Sequence, residues 1–221
     1  MSAPRPLAVD VVSDVVCPWC YLGKRRLDAA VAATSELDVE VRWRPYQLDP
    51  SIPPEGRDRR AYMAAKFPDA AQLEAAHERL RELGRQVGID YRFEAIERSP
   101  NTLDAHRLIR WATVEGVQAE VVERLFALYF VEGADIGRHA VLAAAAGDAG
   151  MDAGVALRLL GGDADRQEVL DEIATAQRIG VTGVPCMIID SRYAVMGAQE
   201  TASIAAALRQ VAAEPPAKDA E

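Results

Sequence analysis

Two cysteines separated by two residues, Cys17 and Cys20, are the part of the sequence best suited to chemistry. They follow an apolar, β-branched run at residues 7–12 and precede a helix-compatible run at residues 24–33. A strand therefore leads into a helix at the cysteines, where free backbone amides and the positive end of the helix dipole favour a thiolate at Cys17. Cys20, one turn later, is placed to resolve a mixed disulfide. The spacing predicts a dithiol/disulfide couple in which Cys17 attacks.

The CPWC motif has two alternatives to redox chemistry. Pro18 suits the first helical position, because its ring fixes φ and an amide donor there would be unpaired. A CxxC motif also occurs in zinc sites, but zinc normally takes four ligands, and the sequence holds neither a second CxxC nor an HxxxH. Inert core cysteines are the second alternative, although structural thiols rarely fall at the exposed start of a helix. We therefore expect redox use and no bound metal.

The overall composition argues against several function classes. The formal net charge is −9, which disfavours nucleic acid or an anionic membrane as the main partner. No segment approaches the ~20 apolar residues of a membrane span, and residues 1–7 lack the apolar core of a signal peptide. A cytoplasmic location follows as an expectation. In that reducing compartment, three cysteines indicate catalysis rather than a disulfide framework.

The first part of the chain has the pattern of a βαβ unit. The run at residues 7–12 is apolar enough for a strand buried on both faces, and a helix is expected at residues 21–33. Residues 39–44 then alternate between apolar and charged side chains, as in a strand with one buried face. A right-handed crossover makes the two strands parallel. The basic triplet at residues 24–26 is interpreted as a solvated face of the helix, with substrate steering as the alternative.

The middle of the chain has a different pattern. Prolines and a glycine at residues 50–56 are followed by amphipathic segments in which apolar residues step by three and four. We expect an all-α insertion at residues 57–163, built from four to six short helices.

The last part of the chain returns to a mixed pattern. The expected elements are a helix at 165–179, a strand at 186–190, a hairpin partner at 193–196 and a last helix around 204–211. Residues 1–56 and 164–213 would then form one discontinuous α/β domain. A disordered tail is expected at residues 214–221, where paired prolines and charges replace the apolar pattern.

Pro185 is the second position of chemical interest. A proline at the start of a buried strand is unusual, because it cannot donate to the ladder. One explanation is a cis Val184–Pro185 peptide bond, which would turn the backbone so that a substrate chain could pair with it. The other is a trans proline that ends the glycine-rich loop. Spacing alone leaves both open.

The CPWC motif, the helical insertion and the Gly-Val-Pro segment together resemble the thioredoxin fold in its DsbA-like branch. The resemblance is closer to the FrnE group and its relatives, the 2-hydroxychromene-2-carboxylate isomerases and kappa-class glutathione transferases, and it covers about residues 7–212. The matching segments are residues 17–24 (CPWCYLGK), 101–108 (NTLDAHRL), 129–136 (YFVEGADI), 180–185 (GVTGVP) and 197–199 (GAQ). The resemblance implies an α/β thioredoxin fold with an all-α helical insertion.

The resemblance also implies roles for residues around the dithiol. Pro185 would be cis and face the two cysteines, and Val184 would offer its backbone to the bound substrate. The helix that begins near Asn101 would overhang the site, so that Asn101 could bind substrate. Asn101 or Thr102 is expected to cap this helix on chemical grounds. Pro18 and Trp19, inside the CPWC motif, would contact substrate and tune the redox potential.

His106 and Cys186 each have two interpretations. His106 either packs in its helix or tunes the Cys17 thiolate and touches substrate. Cys186 stands where the family more often has a bulky residue. It is either a plain buried thiol or a third thiol that exchanges with Cys17 or Cys20.

The function expected from these residues is thiol-disulfide exchange on protein or small-molecule disulfides, with the direction left open. The dithiol would be its own redox group, without a further cofactor, and glutathione is a candidate co-substrate. One alternative is a glutathione-dependent isomerase or transferase, but in that branch a serine normally replaces the first cysteine. The other alternative is a metal-binding or chaperone-like module. A homodimer through the helical domain is left open.

Overall fold

A computed structural model describes residues 6–215 of the chain. The strands are β1 (Leu7–Ser13), β2 (Val39–Pro45), β3 (Arg57–Asp58), β4 (Arg98–Ser99), β5 (Cys186–Ile189) and β6 (Tyr193–Met196). The α-helices are α1 (Pro18–Ala32), α2 (Arg59–Lys66), α3 (Ala70–Gln86), α4 (Leu103–Glu115), α5 (Gln118–Phe130), α6 (His139–Asp148), α7 (Ala153–Leu160), α8 (Arg166–Arg178) and α9 (Thr201–Ala213). One 3-10 turn spans Phe93–Ala95.

The central sheet has the strand order β2-β1-β5-β6. β1 pairs in parallel with β2, and β5 pairs antiparallel with both β1 and β6. The middle position of β1 explains its nearly continuous apolar sequence, because Val9 lies opposite Val41 on one side and Ile189 on the other. The predicted βαβ unit and the predicted hairpin are confirmed.

Helices cover both faces of this sheet. On one face, Val9 and Met187 belong to the main core, which also contains apolar residues of α1 and α9. On the opposite face, Val12 and Cys186 pack with Ala176 of α8 in a separate cluster. Consecutive side chains of a strand point to opposite faces, so Cys186 and Met187 lie on different sides of the sheet.

The segment between β2 and α8 holds six α-helices, α2 to α7, in agreement with the expected insertion. It departs from an all-helical pattern at one place, where β3 pairs with β4 over two residues. Gly56 has φ +72°, and a Cβ added to it would lie 3.0 Å from Ser99 O, so glycine lets the chain turn into this pairing. The boundaries at 57 and 163 remain a prediction.

The basic triplet of α1 is not a solvated face, and that prediction is wrong. The side chains of Lys24 and Arg26 are only 6% and 5% exposed. Lys24 and Arg25 pair with Glu123 of α5 at 3.0 and 2.7 Å, and Arg26 pairs with Glu200 at 2.7 Å. The insertion and the start of α9 cover this part of α1, which the local sequence does not reveal.

The two ends of the chain lie only partly within the described residues. Residues 1–5 of the predicted first domain and residues 216–221 of the predicted tail lie outside them. Glu214, where the tail was expected to begin, accepts a hydrogen bond of 2.5 Å from the Tyr193 hydroxyl. Within residues 6–215, no helix is long and apolar enough to cross a membrane.

Candidate active site

Cys17 is the N-cap residue of α1, with an extended backbone at φ −93° and ψ 112°. Its backbone N–H donates to Asp14 O at 3.0 Å, and its carbonyl accepts from the amides of Cys20 and Tyr21 at 3.0 and 3.3 Å. Pro18 is at the start of the helix, as predicted. The Cys17 thiol therefore lies at the amide end of α1, where the helix dipole favours negative charge.

Cys17 faces the loop that precedes β5. Its Sγ–H donates to Val184 O over 3.7 Å, and the Val184–Pro185 peptide bond is cis, the isomer that the resemblance implies. Gly23 allows this loop to lie close to α1, because a Cβ added there would be 3.0 Å from Pro185 Cγ. The fold therefore brings Pro185 and Val184 against the helix that carries the dithiol.

Cys20 lies behind Cys17 and is 1% exposed. Burial raises the pKa of the Cys20 thiol well above its ordinary value, and the hydrogen bond and charge of Cys17 raise it further. Cys20 therefore stays protonated at neutral pH. The two cysteines are separate thiols in the structure, and Cys17 is the one that borders the cleft described next.

A cleft of about 530 Å³ opens in front of Cys17. One side consists of Cys17, Pro18, Trp19 and Val184. The other side comes mainly from the insertion and is largely apolar: Ile52, Met63, Phe67, Leu73, Ala76 and Leu80. Trp19 is 39% and Phe67 43% exposed at the rim. The volume matches that of a small-molecule site.

Asn101 does not line this cleft. Its Oδ1 accepts a hydrogen bond of 2.9 Å from the amide of Leu103, in the first turn of α4, and another of 3.1 Å from Gln47 Nε2. Its Nδ2 donates to Ile52 O at 2.6 Å. Asn101 therefore accepts from an amide of the first turn of α4, next to the N-cap residue Thr102, and holds the loop that forms one edge of the cleft. This is a supporting position.

His106 is also outside the cleft, and it is 3% exposed. Its Nε2 lies 2.8 Å from Tyr46 O, so this nitrogen carries a hydrogen and donates it to the carbonyl. The same nitrogen is 3.4 Å from Oδ1 of Asp14, a buried carboxylate that borders the cleft beside Cys17. His106 therefore packs behind the site and reaches it only through Asp14.

Tyr91 is a site residue that the sequence analysis missed. Its hydroxyl donates to Pro18 O at 2.6 Å, and its ring stacks on Phe93 with 5.1 Å between ring centroids. Burial is the main cause that raises the pKa of Tyr91, so the hydroxyl stays protonated. Gly84 leaves room for the ring, because a Cβ there would lie 2.7 Å from Tyr91 Cδ2. Neither residue belongs to a local motif, so the sequence carried no signal for this contact.

Cys186 lies on the face of the sheet opposite α1, in the cluster with Val12, Ala176 and Val181. Burial raises the pKa of its thiol. This is the environment of a plain buried thiol, whereas Cys17 and Cys20 belong to the main core cluster. Among residues 6–215, no group of three or more His, Cys, Asp or Glu residues could hold a metal ion.

A dithiol at the amide end of the helix after the first strand, against a loop with a cis proline, defines a thioredoxin-fold protein of the dithiol type. Residues 8–209 match the family described as DSBA-like thioredoxin domain, and the chain belongs to this family. The resemblance found in the sequence and the α/β fold with a helical insertion are thereby confirmed.

Several known proteins are similar to the chain. A probable DsbA oxidoreductase from Streptomyces coelicolor is 29% identical, with a TM-score of 0.88 over 97% of this chain and 94% of that one. A 2-hydroxychromene-2-carboxylate isomerase (16% identity, TM-score 0.72, covering 93% of this chain and 96% of that one) shares the fold. So does the cytosolic disulfide reductase DsbM from Pseudomonas aeruginosa with GSH (17%, TM-score 0.66, 93% and 99%).

A further relative, similar in sequence over part of its length, comes from Bacillus subtilis. The protein YwbO is 26% identical over 144 residues, which make up 65% of this chain and 66% of YwbO. The match therefore spans slightly less than two thirds of that relative's length.

Proposed function

We propose that the protein catalyses thiol-disulfide exchange through Cys17 and Cys20. The observation that carries this proposal is the unequal placement of the two thiols. Cys17, the N-cap residue of α1, is 4% exposed and borders the cleft, whereas Cys20 is 1% exposed and lies behind it with a raised pKa. One sulfur is thus placed to meet a substrate and the other to act only after the first has reacted.

In the reducing direction, the Cys17 thiolate attacks one sulfur of the substrate disulfide. The new bond joins Cys17 Sγ to that sulfur, and the other substrate sulfur leaves as a thiolate. Cys20 then gives its proton to solvent or to the leaving thiolate and attacks Cys17 Sγ. The second substrate thiolate leaves, and a Cys17–Cys20 disulfide remains. The reverse sequence oxidises a dithiol, so the electron partner decides the direction.

The finer assignments extend this proposal. We place the reaction in the cytoplasm, with protein thiols or glutathione as partners and no cofactor besides the dithiol. One relative in fold, a cytosolic disulfide reductase whose structure contains GSH, favours a thiol co-substrate of that kind. The isomerase alternative is weaker, because both cysteines are present at positions 17 and 20. The expected contacts of Pro18, Trp19 and Val184 with substrate rest on their place in the cleft.

Reduction of insulin by a thiol reductant in the presence of the protein tests the proposal. Cys17→Ser should abolish the catalysed rate, because no other described thiol borders the cleft. Cys20→Ser should keep the first attack and accumulate a mixed disulfide visible by mass spectrometry. Cys186→Ser is the matched control and should retain the wild-type rate. Full activity in Cys17→Ser would refute the proposal, and a stable zinc content in the purified protein would favour the metal-binding alternative.

A further inference from the structure

We infer that Arg59 forms an anion subsite in the cleft and that the preferred substrate is a small disulfide carrying a carboxylate. This inference rests on the proposed function and adds the charge of the substrate to it. Arg59 is at the first turn of α2, and its side chain lines the cleft together with Cys17. A guanidinium that lines the same cleft as a reacting sulfur is placed to bind the acidic part of a substrate that fills the cleft.

The position of Arg59 is fixed by several contacts. Its backbone N–H donates to Glu97 O at 2.9 Å, and its guanidinium Nη1 donates to the Tyr129 hydroxyl at 3.1 Å. The guanidinium also lies 5.8 Å from the centroid of the Tyr129 ring, in a cation–π arrangement. Tyr129 is fully buried, so the contact orients the cation without neutralising it. The remaining N–H groups of Arg59 keep their capacity to donate.

The acids that border the cleft make other contacts. Asp69 caps α3 through the Gln72 amide at 3.0 Å. Asp14 accepts from the Leu48 amide at 2.7 Å through Oδ2, and its Oδ1 lies 3.4 Å from His106 Nε2. Arg59, in contrast, forms no ion pair with any carboxylate of residues 6–215. In a protein with a net charge of −9, an arginine left without an acid inside a cleft indicates a ligand that supplies one.

Lys66, the other cation of the cleft with a permanent charge, is compensated in part. Its Nζ donates to the Tyr62 hydroxyl at 2.8 Å. The pKa of Asp49 is lowered first by its hydrogen bond from the Ser51 side chain, and also by Tyr62 and the charge of Lys66. The charge of Lys66 is therefore shared with Asp49. Arg59 remains the stronger candidate for the carboxylate of the substrate.

Two aromatic disulfides, one anionic and one neutral, test the inference. Dithiobis(nitrobenzoate) carries a carboxylate on each ring, and dithiodipyridine is neutral at pH 7. With each reagent, the Cys17 thiolate forms a mixed disulfide and releases one aromatic thiolate; Cys20 then loses its proton to solvent, forms the Cys17–Cys20 bond and releases the second. The measured quantity is a ratio of second-order rate constants for the first release of aromatic thiolate. The constant for dithiobis(nitrobenzoate) is divided by the constant for dithiodipyridine.

Arg59→Gln should lower this ratio about fivefold, the effect of losing one charge-assisted hydrogen bond in a cleft open to solvent. Arg59→Lys should keep part of the preference, because it keeps the charge but not the planar fork. Arg60→Gln removes the same charge from the exposed neighbour and should leave the ratio nearly unchanged. Added salt should reduce the wild-type ratio towards that of Arg59→Gln.

The possible failures are distinguishable. If the ratio stays the same in Arg59→Gln while both reactions still require Cys17, the inference is wrong and the proposed function stands. An equal fall in Arg60→Gln would also contradict it, because the effect would then be one of overall charge. If Cys17→Ser reacts with both reagents at the wild-type rate, the proposed function itself is wrong. If the ratio falls as expected, a comparison of oxidised glutathione with an acidic peptide disulfide as substrates identifies the source of the carboxylate.

Discussion

The two sides of the cleft are built in different ways. The thiol wall, which comprises the start of α1 and the loop at residues 181–185, is packed into the protein: α1 contributes eight buried residues. The outer wall comprises α2 and the part of α3 up to Leu80. α2 has no buried residue, and within this part of α3 only Leu80 is buried.

The attachments of the two walls show the same contrast. The thiol wall is tied to the insertion by buried hydroxyl groups, since Tyr91 donates to Pro18 O at 2.6 Å and Tyr21 donates to Glu123 Oε1 at 2.8 Å. The outer wall is joined to the rest by the short β3–β4 pairing and by Leu80 in the main core. Arg59 adds two hydrogen bonds, from its amide to Glu97 O at 2.9 Å and from its guanidinium to the Tyr129 hydroxyl at 3.1 Å. Reacting atoms thus lie on the rigid side, and the apolar and charged groups that would meet a substrate lie on the side with less packing.

The largest expected effect comes from Gly84 of α3, on which the Tyr91 ring packs. In Gly84→Ala, the added Cβ would lie 2.7 Å from the Tyr91 ring and 2.8 Å from Ile89 O, so a buried ring and a backbone segment must move. We expect the free energy of unfolding to fall by about 2 kcal/mol, despite the better helix propensity of alanine. Urea unfolding of the reduced protein measures it.

A second helical glycine is the control for this substitution. Gly147 of α6 has Ala153 Cβ as its nearest neighbour, at the ordinary distance of 3.4 Å. Gly147→Ala should therefore leave stability unchanged or raise it by up to ~1 kcal/mol. Equal losses in both variants would mean that the space beside Tyr91 has no special importance.

The next effect is a pH dependence that differs between the walls. On the thiol wall, the pKa of Cys20 is raised in the folded state, chiefly by burial. The folded state therefore holds the Cys20 proton more tightly than the unfolded state does. The stability that results is fully present below about pH 8.5 and is lost as the pH rises through the folded pKa. Reduced wild-type protein should lose stability over this alkaline range, as measured by urea unfolding at each pH.

Two variants separate the contributions of the walls. Cys20→Ser should flatten the alkaline loss, because serine does not titrate there. On the outer wall, burial lowers the pKa of His77, so its contribution is present above about pH 6.5 and is lost as pH falls through the folded pKa. His77→Gln should change only the acid side. An alkaline loss that persists unchanged in Cys20→Ser would contradict the assignment.

The sequence was informative where the physics is local. The CPWC motif, the helix start at Pro18 and the apolar run of β1 depend on neighbours in the chain, and each was predicted. The contacts of Lys24, Tyr91 and Glu123 were missed because they join residues that are distant in sequence. His106 and Asn101 have side chains suited to chemistry, but their surroundings in the fold decide that they support the site from behind. The same limit explains why Cys186 could not be assigned to a face of the sheet before the strand register was known.

The smallest effect uses the same substitution on both walls, at Tyr91 and at Tyr62. Tyr91 is 3% exposed and its hydroxyl bonds Pro18 O, whereas Tyr62 is half-buried and its hydroxyl accepts from Lys66. Tyr91→Phe should lower the free energy of unfolding by about 1 kcal/mol, and Tyr62→Phe should change it by less than about 0.5 kcal/mol. Urea unfolding under reducing conditions gives both values. If the two losses were equal, the hydroxyl of Tyr91 would not be fastening the thiol wall, and the contrast between the walls would have to come from apolar packing alone.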